Sequence, residues 1–457
     1  MSVLDIAADK LVSALLSLAA REHVSILDSC GVSHLGSHLL IAGIDPIEMF
    51  EISNDDPNKT LQILDQKLTG GTAAIFTLSY DLGRKMLGIG SFENRSQSPE
   101  PDAFVACFDV LIIHDYETGI TNLVGDRARF GSIKRKIRSE ISDLKFEIAD
   151  LPVAVTSNFV KGEYLAAIDA IKERIRDGQT YQTNLTQQLG SQLPEDLTPE
   201  TIFARLRRDH PAPFSAFIKR SYSTVISASP ERFFSVRKRG NTTDCGFADS
   251  LSITTSPIKG TRPRGNDDLT DDLLRHELLT SPKDLAENTM IVDLLRNDLG
   301  RVCEYGSVKV EKLCDLEEHP TLFHLVSTIN GDLRSGTTPS DILRALFPCG
   351  SITGAPKIST MRIIDEVESA SRGLSMGAIG YYLPAIFDGS DSDLQFPVPC
   401  LDLSVAIRTM VVCGRTSTFN VGGGIVIDSD PESEYAETLT KAKALLDALG
   451  GRLDAQR

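Results

Sequence analysis

The chain has 457 residues, of which 63 are acidic and 47 are basic, so its formal net charge at neutral pH is −16. This balance argues against nucleic acid as a partner, because phosphate binding requires a basic face on the protein. The composition, with 41% hydrophobic and 24% charged residues, is typical of a soluble globular protein, and no apolar run is long enough to span a bilayer.

The first predicted element is an amphipathic helix within the N-terminal stretch MSVLDIAADKLVSALLSLAA. Asp5 and Asp9, together with the lack of a basic leader, distinguish this stretch from a signal peptide. The eight cysteines are scattered singly, without a CxxC pair. That distribution is typical of reduced thiols in a cytoplasm rather than of a disulfide framework or a zinc site. We therefore expect a cytoplasmic protein.

The following elements are predicted from periodicity and turn signals. Strand-like stretches such as TAAIFTLSYDLG and FVACFDVLIIHDYE fall in the first 150 residues. An amphipathic helix, KGEYLAAIDAIKERIRDGQ, then precedes the strand-like runs YQTNLTQQL, FSAFIK, TVISASPERFFSV and LSITTSPIKG. Two further helices are predicted at about 281–299 and 431–449. Because the helices are grouped apart from the strands, the pattern predicts an α+β fold.

The helix predicted at 281–299 carries two carboxylates near its apolar face. Ser281 is a good N-cap, and Pro282 suits the first helical position. Glu287 falls in the middle of the apolar stripe, and Asp284 lies near it. A buried carboxylate needs a partner, and a divalent cation such as Mg²⁺ is one candidate. An acidic first turn that stabilises the helix dipole explains these residues equally well, so both interpretations stay open.

The last predicted helix presents Glu434, Glu437 and Lys441 on one face, opposite its buried stripe. A solvated Glu437–Lys441 pair is the simplest interpretation of that face. Just before the helix, the run FNVGGGIVI contains three consecutive glycines at 422–424. These glycines would allow a ligand close to the backbone, although a bulge or a hairpin turn would also explain them.

The stretch SPIKGTRPRG gathers Lys259, Arg262 and Arg264 in an otherwise acidic chain, on what we expect to be a tight, rigid loop. A lysine is a nucleophile only as the neutral amine, which burial or neighbouring cations favour. A basic turn that docks on an acidic patch is the simpler alternative. Glu231, at the end of a strand-like run, could be a general acid or a solvated residue, and His324 in FHLVSTI could be catalytic or structural.

Several stretches, taken together and in order, resemble the chorismate-utilising enzymes, a family that includes the anthranilate, aminodeoxychorismate, isochorismate and salicylate synthases. The matching stretches, between about 178 and 444, are DGQTYQTNLTQ, SASPERF, SPIKGTRPRG, AENTMIVDLLRNDLGRV, HLVSTI, FPCGSITGAPK, AIRTM and GGGIVIDSDPESEYAETLTKA. The resemblance implies a two-sheet antiparallel β-sandwich with helices packed on the outside. It also implies an N-terminal anthranilate synthase component I-like region, 1–150, and a chorismate-binding catalytic region, 151–450, that contribute to one body.

Two positions discriminate between activities within this family. Members that make isochorismate or salicylate carry a lysine where this chain has Gln182, which argues against those activities. Anthranilate synthases usually carry alanine in place of Lys259, whereas lysine is typical of aminodeoxychorismate synthase component I. The resemblance therefore implies conversion of chorismate and ammonia to 4-amino-4-deoxychorismate, for para-aminobenzoate and folate synthesis. A lyase that forms anthranilate and pyruvate for tryptophan synthesis is one alternative, and an inactive chorismate-binding regulatory subunit is another.

The resemblance also assigns catalytic and substrate-binding roles to residues of this chain. Lys259 would attack C2 of chorismate to form a covalent intermediate, Glu231 would act as general acid/base, and His324 would orient that end of the ring. The positions implied to hold or approach the substrate carboxylates are Thr261, Tyr381, Arg408, Gly423, Gly424 and Lys441.

A Mg²⁺ ion is the cofactor that the resemblance implies. Its direct ligands would be Glu287 and Glu437, with Asp284 and Glu434 acting through water. Asn288 replaces the usual histidine after the metal glutamate, and Asp284 is one carbon shorter than the usual glutamate, so both could loosen metal binding.

The resemblance also bears on partners and effectors. None of the cysteines sits in a GxCxG elbow, so a separate class I glutaminase subunit is the expected source of ammonia. The stretch ILDS, which includes Leu27 to Ser29, resembles the tryptophan-binding motif of feedback-regulated members, with Asp28 as a variant.

Overall fold

The computed structural model describes residues 2–90, 100–141, 153–239, 251–319, 322–384 and 400–453. The strands in these ranges are β1 (Ser2–Val3), β2 (Val24–Asp28), β3 (Leu39–Ile44), β4 (Glu48–Ile52), β5 (Ala73–Leu78), β6 (Ala103–Phe108), β7 (Val110–Asp115), β8 (Ile120–Gly125), β9 (Val153–Ser157), β10 (Gln182–Gln192), β11 (Phe214–Lys219), β12 (Ser223–Ser229), β13 (Arg232–Lys238), β14 (Leu251–Thr255), β15 (Ile258–Pro263), β16 (Lys309–Glu318), β17 (Leu322–Asp332), β18 (Gly354–Ala355), β19 (Ala378–Tyr382), β20 (Leu401–Val405), β21 (Thr409–Cys413), β22 (Thr416–Ile425) and β23 (Gly451–Leu453). The α-helices are α1 (Ala8–Ala19), α2 (Pro57–Leu68), α3 (Tyr80–Met86), α4 (Phe130–Ser139), α5 (Lys161–Arg176), α6 (Pro199–Asp209), α7 (Asp268–Thr280), α8 (Pro282–Gly300), α9 (Pro339–Leu346), α10 (Lys357–Val367) and α11 (Pro431–Leu449).

The strands of the described ranges form two sheets. The first sheet has the order β1-β8-β7-β3-β2-β11-β12-β21-β22-β10-β9-β23, with β18 paired to β10. The second sheet has the order β15-β17-β14-β13-β20-β19-β5-β6-β4, with β16 paired to β17. The pairs are antiparallel, except that β23 runs parallel to β9. This arrangement confirms the antiparallel α+β fold that was predicted.

The two sheets pack face to face through apolar side chains. Ile41, Ile113 and Val411 of the first sheet share one buried cluster with Phe104 and Ile379 of the second. Residues that point away from this interior contact helices. Helices α1, α4, α6 and α11 cover the outer face of the first sheet, whereas α2, α8 and α9 cover that of the second. The result is a β-sandwich with helices outside, because each sheet must bury two apolar faces.

The order of strands bears on the division of the chain into regions. Strands from before and after residue 150 lie in both sheets; β2, for example, pairs with β11. The predicted boundary at residue 150 itself lies outside the described residues, so the division remains a prediction. None of the described helices is both long and apolar enough to cross a membrane.

The predicted helices are confirmed, with small shifts at their ends. Helix α8 begins after Ser281, whose side chain accepts a hydrogen bond from the Asp284 amide, and Pro282 is its first residue. Helix α11 begins after Asp430, which caps it in the same way. The amphipathic patterns at 161–176 and near the N-terminus correspond to α5 and α1. Local capping and periodicity were enough to locate these elements.

The structure corrects two interpretations of irregular backbone, the tight loop expected at Lys259 and the alternative of a turn at the glycines. The stretch containing Lys259 is not a tight loop, because Ile258–Pro263 form β15 at one end of the second sheet. The glycines at 422–424 are not a turn, because they lie inside β22 and pair with β10. A β carbon at Gly422 would lie 1.9 Å from the carbonyl oxygen of Leu185. Glycine is therefore required there by the close approach of β10.

Candidate active site

A cavity of about 540 Å³ opens between the β15–β17 edge of the second sheet, helix α8, strand β22 and helix α11. Most residues that the sequence singled out line it. Those at the second sheet and nearby loops are Glu231, Lys259, Thr261, His324 and Arg408. Those on α8, β22 and α11 are Asp284, Glu287, Gly424, Glu434, Glu437 and Lys441. The cavity thus brings together groups that are up to about 200 residues apart in the sequence.

The Lys259 side chain lies at the wall of this cavity. It makes no hydrogen bond or ion pair with any described residue. Its positive charge is sensed by the nearby carboxyl groups of Glu231, Glu287 and Glu437. An amine that faces open space and is surrounded by acids can approach a bound electrophile without first breaking a contact.

The two arginines that follow Lys259 in the sequence are both paired with carboxylates. The Arg262 guanidinium lies 2.8 Å from a Glu277 oxygen and 3.1 Å from an Asp284 oxygen. Arg264 lies 2.6 Å from a carboxylate oxygen of Asp271. These pairs agree with the simpler alternative, in which the basic residues of this stretch dock on acidic groups.

Glu231 is buried at the break between β12 and β13. Burial raises the pKa of its carboxyl group, although a hydrogen bond with Ser351 and the charge of Lys259 act in the opposite direction. Pro230 has no amide hydrogen to donate, which explains why the predicted single strand is interrupted there. A carboxyl group with a raised pKa, in the same cavity as a lysine amine, suits a general acid.

His324 lies on β17, between residues of the two neighbouring strands β15 and β16. Its Nδ1 atom lies 2.8 Å from Thr261 Oγ1, and Thr261 is its direct partner in the β15–β17 register. On the other side, Glu317 is its direct partner in the β16–β17 register. Burial, followed by the charges of His319 and His34, lowers the pKa of His324 to about 4. The imidazole is therefore neutral near pH 7 and can accept a proton or donate a hydrogen bond.

Four carboxylates line the side of the cavity formed by α8 and α11, and three of them have partners. Asp284 pairs with Arg262, Glu434 accepts a 2.6 Å hydrogen bond from Ser429, and Glu437 lies 2.7 Å from Lys441. The predicted Glu437–Lys441 pair is confirmed, but it borders the cavity as well as solvent.

Glu287 is the exception among these four carboxylates. It makes no hydrogen bond or ion pair with another residue of the described ranges. Burial raises the pKa of its carboxyl group, and so do the charges of Asp284 and Glu434. The charges of Lys259 and Lys283 lower it. The carboxylate oxygens of this wall do not approach one another closely enough to form a preassembled ligand cluster within the described chain.

The cavity also offers groups for anions. Arg408 has no acidic partner among the described residues, and burial lowers the pKa of its guanidinium. Its backbone has a φ of 47°, a left-handed conformation that is unusual for a residue with a side chain. Lys441 donates to the Gly422 carbonyl at 3.2 Å, and a β carbon at Gly423 would lie 3.6 Å from the Lys441 amine. These contacts place the Lys441 amine against the backbone of Gly422 and Gly423, of which only Gly422 lines the cavity.

Tyr381 does not belong to this cavity, so its expected place near the substrate is corrected. It lies on β19 and faces a separate pocket of about 80 Å³ between the sheets. The segment Leu27–Ser29 lines the same pocket. Side chains alternate along a strand, and this register points Tyr381 into the sandwich interior. Asp28 is engaged there by Arg207 at 2.7 Å and by the Tyr116 hydroxyl at 2.8 Å.

The sequence analysis missed several polar residues that line the cavity, among them Asn184, Ser351 and Asn420. Asn184 is buried, and its side-chain amide nitrogen has no hydrogen-bond partner within the described chain. It lies directly opposite Gly424 in the β10–β22 register. An asparagine inside an otherwise strand-like run was the available signal, but nothing local indicates which face of the strand it occupies.

The antiparallel sandwich thus carries a cavity lined by a lysine, a buried carboxyl group and further carboxylates. These groups are typical of an enzyme active site. Residues 25–447 match the family model described as chorismate binding enzyme, so the chain belongs to this family of chorismate-utilising enzymes. The predicted family is thereby confirmed.

Individual relatives share most of the chain. It is 32% identical to aminodeoxychorismate synthase component 1 of Bacillus subtilis, over 94% of this chain and 92% of that protein. It is 37% identical to aminodeoxychorismate synthase of Streptomyces griseus, over 77% of this chain and 47% of that protein, so it spans about half the length of this relative. The crystal structure of anthranilate synthase component I from Streptococcus pneumoniae superposes with a TM-score of 0.74 at 26% identity, covering 91% of this chain and 93% of that one.

Proposed function

We propose that this protein is the chorismate-converting component of an aminodeoxychorismate synthase, which forms 4-amino-4-deoxychorismate from chorismate and ammonia. The observation that carries the proposal is the Lys259 amine, which has no partner among the described residues and lines the same cavity as the buried Glu231 carboxyl group. The names of the relatives from Bacillus subtilis and Streptomyces griseus support the same activity.

The first chemical step is attack of the Lys259 amine on C2 of chorismate. The C2–N bond forms, the two ring double bonds shift, and the C4–O bond breaks. Glu231 donates a proton to the departing hydroxyl group, which leaves as water, and the attacking nitrogen gives up one proton, so charge is balanced. Burial raises the pKa of Glu231, which favours its role as the proton donor in this step.

The second step releases the lysine. Ammonia attacks C4, the double bonds shift back, and the C2–N bond to Lys259 breaks. The incoming nitrogen loses a proton and the lysine nitrogen regains one. Two displacements of lower barrier replace a direct exchange of hydroxyl for amine at C4, which is the general advantage of covalent catalysis.

Neutral His324 and the cations of the cavity orient the substrate. Thr261 engages Nδ1 of His324 at 2.8 Å, which leaves the other ring nitrogen for the substrate. Chorismate carries two carboxylates, and Arg408 is a buried guanidinium without an acidic partner in the described ranges. Lys441 and the backbone at Gly423 and Gly424 would contribute the remaining contacts with these carboxylates.

Mg²⁺ is the cofactor that fits the carboxylate wall. Its proposed ligands are Glu287 and Glu437, with Asp284 and Glu434 acting through water. The donor set consists of oxygens, as Mg²⁺ prefers. Glu287 lacks a partner among the described residues, and its pKa is raised by burial and by neighbouring carboxylates, so a cation would relieve an unfavourable charge. When bound, the ion would stabilise negative charge on a substrate carboxylate.

The unusual Asn288 does not face this metal site. It is buried against β17, where its amide donates to the Leu325 carbonyl at 3.2 Å and its oxygen accepts a hydrogen bond from Ser327. Asn288 therefore connects α8 to the sheet rather than orienting a ligand.

The ammonia would come from a separate glutaminase subunit. The designation component 1 of the Bacillus subtilis relative supports a second component, although free ammonium should replace it in vitro.

The decisive experiment is product identification by mass spectrometry with chorismate, Mg²⁺ and ammonium, using the wild type, Lys259→Ala and Lys443→Ala. Lys443 pairs with Asp447 outside the cavity and serves as the matched control. We expect a product that retains the enolpyruvyl group and gains an amine, and we expect it to be lost only in Lys259→Ala. Anthranilate and pyruvate from the wild type would overturn the proposal.

Anthranilate formation is the second candidate. The solved relative from Streptococcus pneumoniae favours it, because its fold matches over nearly the whole chain. An inactive regulatory subunit is a weaker candidate, since the free lysine and the buried acid remain in place. Tight chorismate binding without any turnover would support that third reading.

A further inference from the structure

Two histidines and a glutamate lie close to one another near the cavity, although they do not line it. His34 Nδ1 lies 2.7 Å from Glu317 Oε2, and His319 Nε2 lies 3.4 Å from the same oxygen. One ligand atom from each residue lies within 4.8 Å of both others. The two imidazole rings stand 5.1 Å apart at an angle of 68°. Three potential ligand atoms therefore converge on one small volume.

The ring nitrogens of this group are buried beside one carboxylate. His34 is 4% exposed, and its Nδ1 atom contacts Glu317, whereas its Nε2 atom has no hydrogen-bond partner in the described chain. The Nε2 atom of His319 is also buried and contacts the same Glu317 oxygen. A buried polar atom without a partner, such as His34 Nε2, is rare and costly.

We propose that His34, Glu317 and His319 bind a transition-metal dication of the Zn²⁺ class. Two imidazoles and one carboxylate are a common three-residue set for Zn²⁺, with a water completing the tetrahedron. Bonds of about 2.0–2.1 Å place tetrahedral ligand atoms roughly 3.3 Å apart. The His319–Glu317 distance already matches this value, and the His34–Glu317 pair would need to open by roughly 0.6 Å. Mg²⁺ is disfavoured here because it prefers oxygen ligands.

Such an ion would connect the two sheets next to the substrate cavity. His34 lies between β2 and β3 of the first sheet, whereas Glu317 and His319 belong to the β16–β17 hairpin of the second. The His34 and His324 rings are 6.4 Å apart. Solvent can reach the site, because the Glu317 side chain is 24% exposed and that of His319 is 14% exposed. The ion would link the N-terminal strands to the strand that carries His324.

Cobalt serves as a spectroscopic probe for this site. The full-length protein is freed of metal by a chelator and titrated with Co²⁺ in excess Mg²⁺, and the visible d–d absorption of tetrahedral cobalt is recorded. We expect one equivalent to bind with strong bands, to be displaced by Zn²⁺, and to raise the melting temperature. Glu317→Gln and His319→Gln should lose the bands and weaken Co²⁺ binding by about tenfold or more.

The matched control is His38→Gln. His38, Asp115 and Glu117 form another group in the described ranges whose atoms lie close enough to share an ion. Bands that persist in His38→Gln support the proposal, whereas bands that disappear there, or that survive in His319→Gln, overturn it. Failure of the wild type to bind cobalt also overturns it. His319 is partly exposed, so His319→Gln should fold, and far-ultraviolet circular dichroism checks this.

The cobalt absorption bands and the melting temperature are measured without chorismate turnover. Failure of this site and failure of the proposed enzymatic function are therefore separate results.

Discussion

Thr261 and His324 face each other across the β15–β17 pair, with Thr261 Oγ1 2.8 Å from His324 Nδ1. The contact joins the strand that carries Lys259 to the strand that carries the cavity histidine. Because His324 is neutral by burial, its orientation depends on this hydrogen bond rather than on a salt bridge.

Thr261→Val removes the hydroxyl group and keeps the shape of the side chain. We expect kcat/KM for chorismate to fall by about five- to tenfold, which corresponds to the loss of one hydrogen bond of about 1 kcal/mol. Thr261→Ser keeps the hydroxyl and should retain most of the activity. Thr289→Val, on the exposed face of α8, is the control and should behave as the wild type. Equal loss in the serine and valine variants would show that packing, not the hydrogen bond, matters.

Glu231→Gln should change the pH dependence of stability. Burial raises the folded-state pKa of Glu231 above its unfolded value, so the folded state binds more protons in the interval above about 4.5. The free energy of unfolding that Glu231 contributes in the wild type therefore decreases as the pH rises through that interval. Glutamine does not ionise, so the melting temperature of the variant relative to the wild type should increase with pH, while turnover is lost. A difference in melting temperature that is independent of pH would contradict a raised pKa.

Glu287→Gln tests the proposed magnesium site. We expect the wild type to melt at a higher temperature when Mg²⁺ is added, because binding to the folded state stabilises it. The variant should lose that shift, and the Mg²⁺ concentration for half-maximal turnover should rise at least about tenfold. Asp293→Asn, on the exposed side of the same helix, is the matched control. Identical Mg²⁺ responses in all three proteins would remove Glu287 from the ligand set.

Adjacent glycines of β22 should respond differently to alanine. A β carbon at Gly422 would lie 1.9 Å from a backbone oxygen of β10, so Gly422→Ala should destabilise the protein by about 2 kcal/mol or more. At Gly423 the nearest atoms are the Glu434 carboxylate at 3.3 Å and the Lys441 amine at 3.6 Å. Gly423→Ala should therefore fold and lose activity. Urea denaturation and steady-state kinetics distinguish the two outcomes.

Local signals in the sequence were sufficient for the helices that frame the cavity. Ser281 and Pro282 mark the start of α8, and the period of its apolar residues determines which face is buried. The same reasoning located α11. Resemblance at the level of whole motifs supplied the family and the sandwich fold, because those motifs place many residue types in a fixed order.

Contacts between distant segments could not be predicted in this way. Ser351 reaches Glu231 across more than a hundred residues, and Arg262 is neutralised by Glu277 and Asp284 on the following helices. Tyr381 was expected near the substrate, but its side chain faces the sandwich interior, since strand register decides which face a residue occupies.

By itself, the sequence determined the acidic character, the capped helices, the antiparallel sandwich and the chorismate-utilising family. Only the tertiary structure determined which charged side chains form ion pairs. It left Lys259 without a partner in the described chain while pairing both neighbouring arginines, and it brought His34 to Glu317 and His319. The physical reason is that capping and periodicity act over a few residues, whereas ion pairing and burial depend on distances set by the packing of the two sheets.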